Sequence, residues 1–399
     1  MLNLTKAAFA INAKKQELNS RIEDSSIVKT LFQEVLSKDL IDISPQEFNQ
    51  KISDLSEQNF IGAKASIELS KGLIHPFPIP LNNKDDTLNW RDHVLLDRIT
   101  MAVDGSQINP DKNLNLYCGA VQVGWFINPH CPGDPPEKDS EFELFIPSPK
   151  TEEDQVTVEN EIALHRFELE TERLSEMISE MANQKSRSKI PLAIFDGSLT
   201  LSFMKSKELK RKYEKAMSIL LESSQKHQIP LIGYIDTSRS YNLVRSLKTV
   251  FPDKLADDRL PPNSIYDSSL LADSLSGWGS RSAYFYYFEK EQVSSELLSQ
   301  IGFFYLKSSS GSHNPVRIEL PNWVFEQGLL DQIVEVVLAE CLVGNGYPYP
   351  VEVADSVAVL TGQERDKFID LLQKMTGSKL STSPKLLSKN IRRRTSIRF

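Results

Sequence analysis

Cysteine is scarce here, and what there is stands apart. Cys118, Cys131 and Cys341 are an odd number with no CxxC spacing, which excludes a disulfide framework and a zinc ribbon. None of the six histidines has a metal-ligand spacing with another, so they read as single residues. No apolar run approaches the roughly 18 residues needed to cross a bilayer. The N-terminal stretch MLNLTKAAFAINAKKQ is too charged for a signal peptide, so the expectation is a cytoplasmic protein with no membrane segment. Excess positive charge is missing as well: 46 Lys and Arg against 54 Asp and Glu leave a net charge of −8. That argues against whole-surface attraction to nucleic acid and directs attention to local basic patches.

What is present is an ordinary soluble composition, 40% hydrophobic and 25% charged over 399 residues, enough chain for a sizeable core. Residues 1–60 carry helical spacing (Phe9, Ile11, Leu18, Ile22, Leu31, Phe32, Val35), with a later helix starting at Ser44-Pro45. The Pro- and Asn-rich HPFPIPLNNKDD at 75–86 reads as a linker. The period then changes, and strands are expected at 98–108, 114–126 and 141–146. A helix at 156–183, a strand at 190–196, a helix at 205–227 and a strand at 229–236 follow, an order that implies a parallel crossover. Further strands are expected at 283–289, 301–307 and 316–320, then helices at 325–342, 351–360 and 362–376. The fold class is therefore α/β, a mixed sheet flanked by helices, divided into an N-terminal helical region with its linker (1–95), a main domain (96–360) and a C-terminal helix with a basic tail (361–399).

One short stretch occurs twice. MAVDGSQ at 101–107 and AIFDGSL at 193–199 each drive an apolar run into Asp-Gly-Ser, placing Asp104 and Asp196 at strand ends. Asp-Gly alone is a turn signal, because Gly takes positive φ and Asp caps its own turn. Two copies in one sheet would converge their carboxylates, and a divalent cation is the usual answer to that repulsion. The helix between them carries the apolar stripe Ala163, Phe167, Leu174, Met177, Ile178, Met181, and Glu170 falls on it, while Glu168 and Glu172 project elsewhere. An acid on a core-facing stripe is unfavourable unless paired or metal-bound. Asp104, Glu170 and Asp196 together suit Mg²⁺ or Mn²⁺, and two such ions are the apparatus for attack of water on a phosphodiester.

Three strands with an acid on the first, a Glu-bearing helix and a strand ending in Asp form the layout of an RNase H-like nuclease core. The local sequences resemble the NurA nuclease family: AVDGSQ at 102–107, the helix around Arg166 to Glu176, IFDGSL at 194–199, LADSLSGWGSRSAYF at 271–285, VRIELP at 316–321 and GYPYPVEVAD at 346–355. The resemblance implies a manganese-dependent nuclease with two ions, degrading DNA 5′ to 3′ in DNA end processing and double-strand break repair. It also implies a homodimer partnered with a HerA-type hexameric helicase-translocase. On this resemblance Asp104, Glu170 and Asp196 match the metal ligands and Tyr347 the Tyr of a Tyr-Pro motif. Two positions depart: Asp355 stands where the family has His, and Asp236 where a Lys is common. These admit extra acidic ligands or weak activity, and motivate an alternative, a non-catalytic DNA-binding or helicase-docking subunit; a phosphatase-like hydrolase is a third reading.

For DNA contact the sequence offers Arg281 after the Gly-Trp-Gly-Ser loop, Arg239 with Arg245 and Lys248 on the helix after 229–236, and the tail residues Arg392, Arg393 and Arg394. Tyr284 to Phe288 read as a buried strand.

Overall fold

Many of the strands form from short apolar runs, and the computed structural model describes residues 2–55, 60–110, 117–147, 157–182, 189–200, 207–255, 264–290, 298–311 and 314–377. The strands are β1 (Phe60–Ala65), β2 (Ile74–His75), β3 (Thr100–Ile108), β4 (Gly119–Asn128), β5 (Glu137–Phe145), β6 (Leu192–Asp196), β7 (Leu231–Ile235), β8 (Arg281–Ser282), β9 (Phe285–Lys290), β10 (Ile301–Leu306) and β11 (Val316–Pro321). Two compact units are interleaved along the chain. One gathers Met1–Asp92, Gly197–Thr200 and Ile232–Tyr347; the other gathers His93–Asp196, Leu201–Leu231 and Pro348–Phe399. The division expected at 95/96 and 360/361 is not the division between these units.

In the first unit the strands run in the order β1, β9, β10, β11, β7, with every pairing antiparallel. Its core gathers Phe32, Phe48, Ile52, Phe60, Leu247, Phe285 and Phe303. Ser44 accepts from the Glu47 amide, so the helix Pro45–Ser53 begins at the expected cap. The helix expected at 325–342 is broken in two, Asn322–Glu326 and Leu330–Val343, because Gly328 takes φ 72° between them. A chain of buried polar groups crosses this unit. Asp267 accepts from the Leu243 and Val244 amides and from the Tyr305 hydroxyl; Arg317 donates to Tyr305 and to Glu319. Glu319 in turn accepts from the Leu199 and Thr200 amides and the Ser198 hydroxyl, fixing the second Asp-Gly-Ser turn.

In the second unit the order is β6, β3, β4, β5. β3 is parallel to β6, and the long helix Val158–Ala182 lies between them in sequence, whereas β3–β4 and β4–β5 are antiparallel. This part of the sheet is therefore mixed. β5 spans Glu137–Phe145, where a strand was expected at 141–146; it is exposed on both faces, and alternation cannot mark such a strand.

The helix Tyr349–Ala358 packs on β3 and β4 at van der Waals limits. Gly124 stands opposite Asp104 in the ladder, and a Cβ on Gly124 would lie 2.6 Å from the Ala358 nitrogen and 2.9 Å from the Ala354 oxygen. The Ser106 hydroxyl donates to the Ala358 carbonyl at 2.8 Å and the Gln122 amide to the Val357 carbonyl at 2.9 Å. Those bonds satisfy carbonyls of the last helical turn that have no partner within the helix. No helix among the described residues is long and apolar enough to cross a membrane.

Candidate active site

The second unit brings four acids together. The parallel register Val103↔Phe195 carries the next residue of each strand, Asp104 and Asp196, to one sheet edge. β6 is buried from Leu192 to Phe195 and only its terminal Asp196 is exposed, so the hydrophobic run aims its acid outward. The long helix packs on β3 with Phe167, Leu174, Met177 and Ile178, and the same stripe buries Glu170 to 7% exposure. From the opposite side the Gly124 contact seats the Tyr349–Ala358 helix so that Asp355 meets the Asp104 carboxyl within hydrogen-bonding reach.

Their electrostatics follow from crowding. Burial pushes the Asp104 carboxyl up to about 6; the Gly105 amide opposes this, while Asp196 and the carboxyl–carboxyl bond to Asp355 reinforce it. Glu170 is pushed up to about 8, first by burial and then by Asp104 and Asp196, with Arg166 acting against them. Glu170 Oε1 is buried without a hydrogen-bond partner, and Arg166 Nε stands 3.6 Å away, beyond a normal bond. Gly105 carries the approach, since a Cβ there would lie 2.4 Å from Glu170 Oε1.

A linkage with a definite sign results. Folded Glu170 holds its proton to about 8 against an ordinary 4.5, so across that window the native state binds more protons than the unfolded chain. Stability without a divalent cation therefore falls as pH rises from 4.5 towards 8, and it is highest where both states are protonated. Thermal unfolding in chelator at pH 5.5 and pH 8 should give the higher Tm at pH 5.5. A Tm that rises with pH in chelator would contradict the burial of an uncompensated carboxyl.

Tyr347 and Asp236 belong to the first unit, where both line a pocket of about 430 Å³ with Thr237, Ser268, Ser308 and Asn345. The Tyr347 ring stands edge-on to Tyr234 at 5.0 Å. Arg239 is exposed. Arg281 requires a correction: it is 5% exposed, and its guanidinium is engaged by Glu68 at 2.7 Å and by Asp331 at 2.9 Å, so it is a buried structural cation and not a DNA contact. No local pattern points to this pairing, because Glu68 lies 213 residues away. Arg392, Arg393 and Arg394 lie outside the described residues. Sequence reasoning assigned no role to Arg166 or Gly124; the only signal for the latter was a small residue inside an apolar strand.

Four carboxylates are thus gathered beside a mixed sheet, an arrangement of the kind that acid-cluster hydrolases of phosphodiesters use. The chain belongs to the NurA family, whose model, described as the NurA domain, matches residues 98–360, and this makes it a nuclease. Curated proteins yield no match. Among solved structures it is similar to endonuclease V from Bacillus subtilis at 14% identity, covering 75% of this chain and 97% of that one with a TM-score of 0.31. Human ENDOV is similar at 13% identity, 69% and 94% coverage and a TM-score of 0.30. Endonuclease V of Ciona intestinalis, in complex with a 24mer DNA containing an inosine followed by a ribo-adenosine, aligns at 8% identity, 72% and 96% coverage and a TM-score of 0.30.

Proposed function

We infer that this protein is a divalent-cation-dependent DNA nuclease with an RNase H-like core, degrading strands 5′ to 3′ in the processing of DNA ends. The observation that carries the reading is the Asp104–Glu170–Asp196–Asp355 cluster, with one buried carboxylate oxygen left unpartnered inside it. Its donors are all hard oxygens, the chemistry that suits Mn²⁺ or Mg²⁺. Among the described residues no three such groups are already closed around one ion position, so these side chains would turn to hold the ions. Asp104, Glu170 and Asp196 are the proposed ligands, with Asp355 an added acid. When bound, two divalent cations supply Lewis acidity towards the scissile phosphate and the attacking water.

The residues themselves impose a condition. Asp104 and Glu170, both held protonated above the usual carboxylate range, would each give up a proton before either could serve as a ligand. Proton release on cation binding, and cleavage that strengthens from pH 6 towards pH 8, are the expected signatures. From the family resemblance we add Tyr347 as a substrate-positioning residue, a homodimer, and a HerA-type hexameric translocase as partner in double-strand break repair. The acid at 355, bonded to Asp104, favours one second reading: a subunit that keeps the fold, binds DNA or docks on the motor, and does not cut.

Incubating 5′- and 3′-labelled DNA with the protein and Mn²⁺ separates these readings. Early release of short 5′-labelled products, with the 3′ label retained on shortening strands, is the expected result. Intact DNA in both Mn²⁺ and Mg²⁺, with DNA or motor binding preserved, would establish the non-cutting subunit instead.

A further inference from the structure

Arg166 lies close to the acid cluster, and its charge is poorly used there. Arg166 and Glu170 lie four residues apart on one face of the long helix. Arg166 Nη1 donates to the Gly105 carbonyl at 2.8 Å, which anchors one end of the guanidinium to β3 beside Asp104. Its Nε faces Glu170 Oε1 across 3.6 Å, and both atoms are buried with no hydrogen-bond partner. Two orphans face each other without bonding. The Nη2 group makes no hydrogen bond among the described residues, and the side chain is 37% exposed while that of Glu170 is 9% exposed. The guanidinium thus runs from the buried carboxylate to the surface at the edge that carries the acids.

We propose that Arg166 is a substrate-binding residue, clamping a non-bridging oxygen of a DNA phosphate with the N–H groups that neither Gly105 nor Glu170 uses. A phosphodiester approaching four carboxylates meets repulsion, and a planar guanidinium fixed at one end is well suited to offset it. Arg166 partly screens Glu170; divalent cations held by the acids would take over that role and leave the guanidinium to the strand. This rests on the nuclease reading and gives that site a phosphate contact of its own.

Arg173 provides the control. It sits on the same helix, stacks 4.2 Å from the Trp125 ring and pairs with Glu176 and Glu180, so it is a cation with a purely structural setting. Binding of a single-stranded DNA oligomer is measured with Ca²⁺ in place of Mn²⁺, across a salt series, for the wild type, Arg166→Gln, Arg166→Lys and Arg173→Gln. Cleavage in Mn²⁺ gives KM and kcat for each.

The expected result is a Kd and KM raised about tenfold in Arg166→Gln, as for loss of one charge-assisted hydrogen bond. The log Kd against log salt slope should shrink by about one contact. Arg166→Lys should recover part of the affinity and all of the slope, and Arg173→Gln should leave both unchanged. If Arg166→Gln and Arg166→Lys lower Tm or kcat but leave Kd and the salt slope at wild-type values, Arg166 only staples the helix to β3 and the proposal falls. A wild-type protein that neither binds nor cuts DNA overturns the nuclease reading, and the clamp with it, whereas wild-type cutting with an unaltered slope in the variants overturns the clamp alone.

Discussion

Asp104→Asn should cut DNA at about a thousandth of the wild-type rate or less, while folding normally and unfolding at a higher temperature than the parent in chelator. The rate is what loss of a proposed cation ligand would cost, several kcal/mol at about 1.4 kcal/mol per tenfold. Asn keeps the shape of the side chain but offers one neutral oxygen where a charged pair is needed. The gain in stability comes from the same crowding. Asp104 is pushed up to about 6 from an ordinary 3.8, so at pH 8 the folded state carries a carboxylate it would rather protonate. Removing that charge should stabilise by on the order of 1 kcal/mol, since part of the shift is relieved by solvent and by the Gly105 amide. At pH 4 the difference should narrow, because the folded carboxyl is then protonated and the unfolded one, with its ordinary value of 3.8, is partly so. Endpoint cleavage in Mn²⁺ and Tm in chelator at both pH values check the two halves. A stable Asp104→Asn protein that cuts at the wild-type rate removes Asp104 from the site. One that is inactive but less stable at pH 8 refutes the electrostatic account.

Arg317→Met should be the most destabilising single change, about 3 to 5 kcal/mol, because it strands buried charge. Arg317 and Glu319 are each 1% exposed and their ion pair is 2.7 Å long. The guanidinium also donates to Tyr305 at 3.1 Å and lies over the Phe303 ring at 3.7 Å. Without it, Glu319 and the fully buried Asp267 keep only neutral hydrogen-bond partners among the described residues. Arg281→Met should cost less. One of its partners, Asp331, is 78% exposed and returns to water when the pair is broken. The comparison is made by urea denaturation midpoints at constant slope. A midpoint for Arg317→Met equal to that of Arg281→Met would mean the Arg317 network is not what fixes this unit.

The sequence was most readable where burial is one-sided and local. Helix Gly362–Thr376 and the Ser44 cap fall where spacing and capping residues placed them, and Glu170 is buried as its position on the stripe required. β1 was invisible, since Phe60–Ala65 is short, contains Gly, and is defined by its antiparallel partner β9 rather than by any period of its own. Arg281 was misread for the same reason. A Gly-Trp-Gly-Ser run looks like an open loop until Glu68 closes on it. Asp355 shows the limit most clearly: its sequence neighbours give no reason for it to meet Asp104. The meeting depends on Gly124, on a different strand, having no side chain to hold the helix away.

The acids are also spread along the chain in time. A ribosome delivers Asp104 first, then Glu170 and Asp196, and Asp355 only as the helix Tyr349–Ala358 emerges. The helix that seats it has its other partners, Ser106 and Gln122, waiting from early in synthesis. On a growing chain the cluster therefore lacks its fourth acid until the helix Tyr349–Ala358 has been made and can settle on strands that were finished more than two hundred residues earlier.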